Sequence, residues 1–102
     1  MATRRRADPS RYLVEWYRSA LTEEPLEQTA QRLSRSARGM SVDGDGIDLL
    51  LTLFVPGDEV AFCLFAADSA DSVPRACRRA GLRYERIAEA IEAVARPARR
   101  AG

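Results

Sequence analysis

Ile47-Asp48-Leu49-Leu50-Leu51-Thr52-Leu53-Phe54-Val55, then Pro56-Gly57-Asp58-Glu59, then Val60-Ala61-Phe62-Cys63-Leu64-Phe65-Ala66-Ala67 is the stretch on which the reading of this chain turns. Two apolar runs of strand length flank a Pro-Gly pair, so the segment predicts a β-hairpin. By simple alternation Ile47, Leu49, Leu51, Leu53 and Val55 share one side of the first strand, and Asp48, Leu50, Thr52 and Phe54 the other. On the second strand Val60, Phe62, Leu64 and Ala66 oppose Ala61, Cys63, Phe65 and Ala67. Both sides are largely apolar, whereas an antiparallel sheet with one wet face shows polar residues at every second position.

Upstream of the hairpin, Ser41 to Gly46 reads as a turn. Its Asp-Gly-Asp-Gly run does not make a calcium loop, because the glycine is misplaced and the late Glu ligand is missing. Before it, Leu26, Ala30, Leu33, Ala37 and Met40 recur at helical spacing, with Gln28, Gln31, Arg32 and Arg35 facing away. Thr22 is the expected N-cap, Pro25 falls early enough to be tolerated, and Gly39 is expected to weaken the helix end. Arg11 to Ser19, where Tyr12, Val14 and Trp16 alternate with Leu13, Glu15 and Tyr17, reads as a first strand.

Downstream, Asp71 or Ser72 caps a second helix whose Val73, Ala76, Cys77 and Ala80 make one apolar face, and Gly81 supplies its left-handed terminus. The last segment, Glu85 to Val94, fits a helix through Ile87, Ala90, Ile91 and Val94, and a strand through Ile87, Glu89, Ile91 and Ala93. A sheet of four requires the strand, and that is the reading adopted. The order strand, helix, strand, strand, helix, strand then predicts an α+β, ferredoxin-like βαββαβ domain with a four-stranded antiparallel sheet over residues 11–95. Arg-rich flexible tails, 1–10 and 96–102, flank it.

A chain of 102 residues has room for one modest core. Its six tail arginines leave ten basic against fifteen acidic groups in residues 7–95, a charge of −5. An acidic body does not suggest a nucleic-acid face. No apolar run approaches a membrane span, and Met1 to Arg6 is not followed by a signal-like core, so a cytoplasmic protein is expected. The chain has no His, which removes the usual general base and the commonest metal ligand. All 16 basic residues are Arg, which removes lysine Schiff-base chemistry. The Arg and Ala bias suggests a bacterial source rich in G and C. Cys63 and Cys77 have no metal spacing and are expected to be reduced, small core hydrophobes.

The doubly apolar hairpin predicts a face that one copy leaves uncovered. A second copy is the expected cover, giving a homodimer through the sheet face, a dimeric α/β barrel. Polar and aromatic residues of the strands would line its cavity, and Glu15, Tyr17, Asp48, Thr52, Phe54, Cys63 and Phe65 are the candidate ligand-binding residues, with Glu89 near the rim. No catalytic or metal-ligating set is expected, and no cofactor. The function this supports is a non-catalytic homodimeric module that binds a small apolar ligand or a protein partner. The alternative is a cofactor-free isomerase or monooxygenase with Glu15 or Asp48 as a base of raised pKa and Tyr17 orienting the substrate.

Three pieces carry a family resemblance: Arg11-Tyr12-Leu13-Val14-Glu15, Val60 to Ala67, and Arg79-Ala80-Gly81-Leu82 followed by Glu85-Arg86-Ile87. In order and spacing, across roughly residues 11–94, the chain resembles small bacterial ferredoxin-like proteins of unknown function described as nickel-responsive or nickel-binding. The resemblance implies a ferredoxin-like fold, a homodimer and a strand as the last segment. It also makes nickel binding a second alternative function, although imidazole, a preferred nickel ligand, is missing and no ligand residue carries over.

Overall fold

The computed structural model describes residues 9–93 and 95. Apart from Pro9 and Ser10, both expected tails lie outside the described residues. The elements are β1 (Ser10–Tyr17), α1 (Leu26–Val42), β2 (Ile47–Val55), a 3-10 turn (Pro56–Asp58), β3 (Val60–Ala67), α2 (Ser72–Arg79) and β4 (Arg86–Ala90). The strands form one sheet in the order β2-β3-β1-β4, with every neighbouring pair antiparallel. This α+β arrangement is compatible with a ferredoxin-like fold. The last segment is a strand: pairing with β1 from Arg11↔Ala90 to Glu15↔Arg86 overrides the helix preference of its Ala and Glu residues.

Both helices cover one side of the sheet. Val14 and Trp16 of β1, Ala61, Cys63 and Phe65 of β3, and Ile47 of β2 meet Leu33, Ala37 and Met40 of α1 and Val73, Ala76 and Cys77 of α2. Burying a side chain the size of Phe65 or Leu33 contributes roughly 1.5–3 kcal/mol each. Between the helices the Ser36 hydroxyl donates to Ala76 O at 2.8 Å, which satisfies the polar atom inside that contact.

Helix α1 departs from the expected boundaries at both ends. It starts at Leu26, after Pro25, with no side-chain cap. Thr22 sits instead in the preceding loop, where its N–H donates to Ser19 O at 3.0 Å. At the other end the helix runs through Gly39 to Val42. There the missing side chain makes room for the Arg79 guanidinium, whose Nη2 would lie 2.9 Å from a Cβ at Gly39. Helix α2 keeps its expected end: Gly81 has φ of +74°, the left-handed region that glycine enters without penalty. Arg32, expected to face solvent, instead donates through Nη1 to Ala80 O at that end.

The main correction concerns β2. Ile47 and Leu49 pair with Ala67 and Phe65, but Leu51 pairs with Leu64 and Thr52 with Cys63, so a β-bulge at Leu50 shifts the register. One extra residue reverses the parity of all that follow it on the strand. Inward positions are therefore Ile47, Leu49, Thr52 and Phe54, and Leu51, Leu53 and Val55 turn away from the helices.

Candidate functional site

The side of the sheet opposite the helices is a grid that the pairing fixes. Its first row is Asp48, Ala66, Arg11 and Ala90, read from β2 to β4, and its second Leu51, Leu64, Leu13 and Ala88. The third row is Leu53, Phe62, Glu15 and Arg86, and Val55, Val60 and Tyr17 complete a fourth. Leu53 is 56% exposed, Leu51 41% and Val55 39%, and Tyr17 at 71% stands beside them. Leu13, Val60, Phe62 and Leu64 are half-buried by their neighbours. Apolar side chains thus run unbroken from β1 to the β2 edge, with polar groups confined to the margins.

Those margins are ordered by ion pairs. Arg86 Nε lies 3.8 Å from Glu15 Oε1, and Arg11 Nε lies 2.7 Å from Glu92 Oε1. Asp48 is exposed at the β2 corner and has no partner among the described residues. Glu15 faces a guanidinium and Asp48 faces solvent, so neither is enclosed within this subunit as a buried base would be.

The seven expected lining residues do not share one cavity. Glu15, Tyr17 and Asp48 belong to the uncovered face. Thr52, Phe54, Cys63 and Phe65 point to the helix side, and the reason is the bulge for the first two and ordinary alternation on β3 for the others. The surplus apolar side that the hairpin predicts is made by Leu51, Leu53, Val55, Val60, Phe62 and Leu64, while Phe54, Ala61, Cys63 and Phe65 face the helices and Leu50, at the bulge, stays exposed. The β3 members were readable from alternation, whereas the β2 members depend on an irregularity inside a run of leucines.

On the helix side the chemistry is quiet. Burial raises the Cys63 thiol far above its ordinary pKa, with Cys77 nearby adding to the effect, and burial pushes Cys77 up to about 11. Both stay protonated and unreactive near neutral pH. Phe54 lies under the Arg18 guanidinium, 5.5 Å from ring centroid to Cζ, a cation–π contact. Thr52 Oγ1 is buried and has no hydrogen-bond partner.

One polar cluster went unread in the sequence. Glu24 accepts from Thr29 Oγ1 at 2.6 Å and from Arg32 Nη2 and Nε at 2.8 and 3.0 Å. These bonds, Arg32 foremost, hold its carboxyl below the usual carboxylate range. Arg18 donates to Glu24 O, so the cluster straps the β1–α1 loop to the helix layer.

Three of the surface grooves among the described residues bear on the site. One of about 710 Å³ lies at the first-row end of the uncovered face, between Pro9, Arg11, Asp48, Ala66, Glu89 and Glu92. A second, about 420 Å³, runs between α1 and β2 over Leu26, Ala30, Leu49, Leu51 and Thr52. The third, about 300 Å³, lies between the helices among Arg32, Arg35 and Arg79. Among the described residues no group of three or more His, Cys, Asp and Glu side chains is placed to hold a metal ion. No helix among them is long and apolar enough to cross a membrane.

No family model matches the chain, and no curated protein matches it in sequence. Among solved structures, the crystal structure of SCO4226 from Streptomyces coelicolor A3(2) is similar, with a TM-score of 0.65 and 20% identity. The match covers 83% of this chain and 100% of that one. At that identity the likeness extends to the fold, and the α+β sheet-and-helix architecture is what the two chains share.

Proposed function

We propose that the protein is a homodimeric, non-catalytic binding module in which two sheets cover each other's free faces, forming a dimeric α/β barrel. The observation that carries this reading is the uninterrupted apolar surface of Leu13, Leu51, Leu53, Val55, Val60, Phe62 and Leu64. A contiguous exposed apolar surface rimmed by polar residues marks an interaction site. A second copy presents the same surface in self-complementary form, and two-fold pairing is the commonest way for a chain to use it.

The module would hold a small apolar ligand or a protein partner. The groove between α1 and β2 suits the former, since Leu26, Ala30, Leu49, Leu50 and Leu51 line it beside Glu27, Gln31, Ser34 and Thr52. The chain's lack of His and Lys and its protonated, buried thiols fit a protein that binds rather than transforms.

Sedimentation velocity at micromolar concentration tests the reading. The wild-type protein should run as a dimer, and Leu53→Asp, which puts a charge on the free face without touching the core, should run as a folded monomer. A wild-type protein that stays monomeric at 100-fold higher concentration would refute it. Thermal-shift screening with small apolar compounds then asks what the groove takes. Stabilisation that is weakened by enlarging Ala30 to Leu would locate the ligand there.

A further inference from the structure

We propose that Asp48 of each subunit pairs with the partner's Arg86, and that these two reciprocal ion pairs make the sheets cross near a right angle. This inference rests on the homodimer proposed above. It goes further by fixing the orientation of the two copies and the residues that select it.

Asp48 and Arg86 stand at opposite corners of the grid: the first row on β2 and the third row on β4. Three inter-strand gaps of ~4.8 Å make the grid ~14 Å wide, and four residues at ~3.4 Å make its first three rows ~14 Å long. These three rows are therefore close to square, with Val55, Val60 and Tyr17 projecting beyond them. A square face can be laid on its copy by a two-fold axis in four ways: along the strands, across them, or along either diagonal.

An axis along the strands sets Asp48 over the partner's Ala90, and an axis across them sets it over the partner's Leu53. The first leaves it beside only the partner's Arg11, which Glu92 already engages, and the second buries it against an apolar side chain at the desolvation cost of an unpaired charge. The diagonal through Asp48 itself brings the carboxylate against the partner's Asp48. The remaining diagonal, running through Leu53 and Ala90, carries each Asp48 onto the partner's Arg86. Its crossing near 90° is one of the two common geometries for stacked sheets.

Arg86 is accessible. Its side chain is 69% exposed, and it pairs with Glu15 through Nε at 3.8 Å. The terminal nitrogens remain for a second carboxylate, so one guanidinium would sit between Glu15 and the partner's Asp48. The same axis places Leu53 against the partner's Leu53, while Leu51 and its counterpart lie apart by about two strand spacings, ~10 Å.

Two measurements test this. In the first, Asp48→Arg and Arg86→Asp are each expected to weaken the dimer at least tenfold in Kd while leaving circular dichroism unchanged. An equimolar mixture of the two variants should restore wild-type affinity as a heterodimer, and the double variant should restore it as a homodimer. In the second, a short bismaleimide, whose reach suits the ~10 Å spacing of facing sheets, should crosslink Leu53→Cys between subunits and not Leu51→Cys, the buried Cys63 and Cys77 being silent. Single reversals without effect, or a mixture that fails to recover, overturn the ion pairs while leaving a dimeric wild-type protein standing. Crosslinking through Leu51→Cys but not Leu53→Cys overturns the diagonal axis. A monomeric wild-type protein overturns the homodimer and the pairing together.

Discussion

Replacing Thr52 by Val should stabilise the protein, although it deletes a hydroxyl from the middle of a strand. Thr52 points to the helix side opposite Cys63, and its Oγ1 is buried with no group in hydrogen-bonding reach. In the unfolded chain that hydroxyl bonds to water, and folding strips the bond without replacing it. Leaving a buried hydroxyl unpaired costs ~1–3 kcal/mol. Valine keeps the β-branched outline and suits a strand, so most of that cost should be recovered, a gain of ~1–2 kcal/mol. For a domain near this size each kcal/mol moves Tm by ~4 °C or more. Urea denaturation is the cleaner assay, because a higher midpoint at unchanged slope isolates a stability change from a change in the denatured ensemble. Thr52→Ser, which keeps the hydroxyl and loses the methyl, should lower the midpoint. If Thr52→Val lowers it as well, the hydroxyl is bonded in solution and the reasoning from its isolation is wrong.

Four further outcomes are expected. Leu33→Ala, at a position with no solvent exposure, should cost ~2–5 kcal/mol in thermal melts, and a loss under ~1 kcal/mol would mean that α1 is not seated on the sheet. The two helix-end glycines should respond with opposite signs. Gly81→Ala forces a Cβ into a φ of +74° and should cost ~1 kcal/mol, whereas Gly39→Ala displaces only the half-exposed Arg79 guanidinium and should gain ~0.5–1 kcal/mol of helix stability. In acid, the Glu24 cluster contributes fully above its ordinary pKa of 4.5 and loses that contribution as pH falls below it, so Glu24→Gln should flatten the acid limb of the stability curve. In alkali the sign is reversed. With Cys77 raised from 9.0 to about 11, stability is complete below pH 9 and declines as pH climbs toward 11, and neither thiol should react with a disulfide reagent at pH 8 until denaturant is added.

Most of the fold was legible because its signals are local. The hairpin limits, the apolar face of α2 and the left-handed Gly81 follow from turn chemistry and period, and each is where the sequence puts it. The α1 boundaries were not legible, because Thr22 finds its partners in a loop and Gly39 answers to Arg79, forty residues away. The final strand was decided by the sheet's need for an edge against its own composition. For the candidate site the limit was sharper. Leu49, Leu50 and Leu51 are identical in polarity, so no contrast marked which of them is the extra residue. Every assignment of face after that point on β2 inherited the ambiguity. It separated Thr52 and Phe54 from Glu15, Tyr17 and Asp48.

That single supernumerary leucine also determines what kind of skin the subunit wears. With strict alternation, β2 would offer Asp48, Leu50, Thr52 and Phe54 to the outside and store its aliphatic series under the helices. The irregularity exchanges the two sets beyond Leu49 and leaves composition untouched. An in-frame loss of that codon would therefore straighten β2 with Leu51, Leu53 and Val55 still outside, whereas a strand that kept every residue and lost the bulge would send a hydroxyl and an aromatic ring outward. The apolar character of the free face is thus held in strand register as well as in residue type.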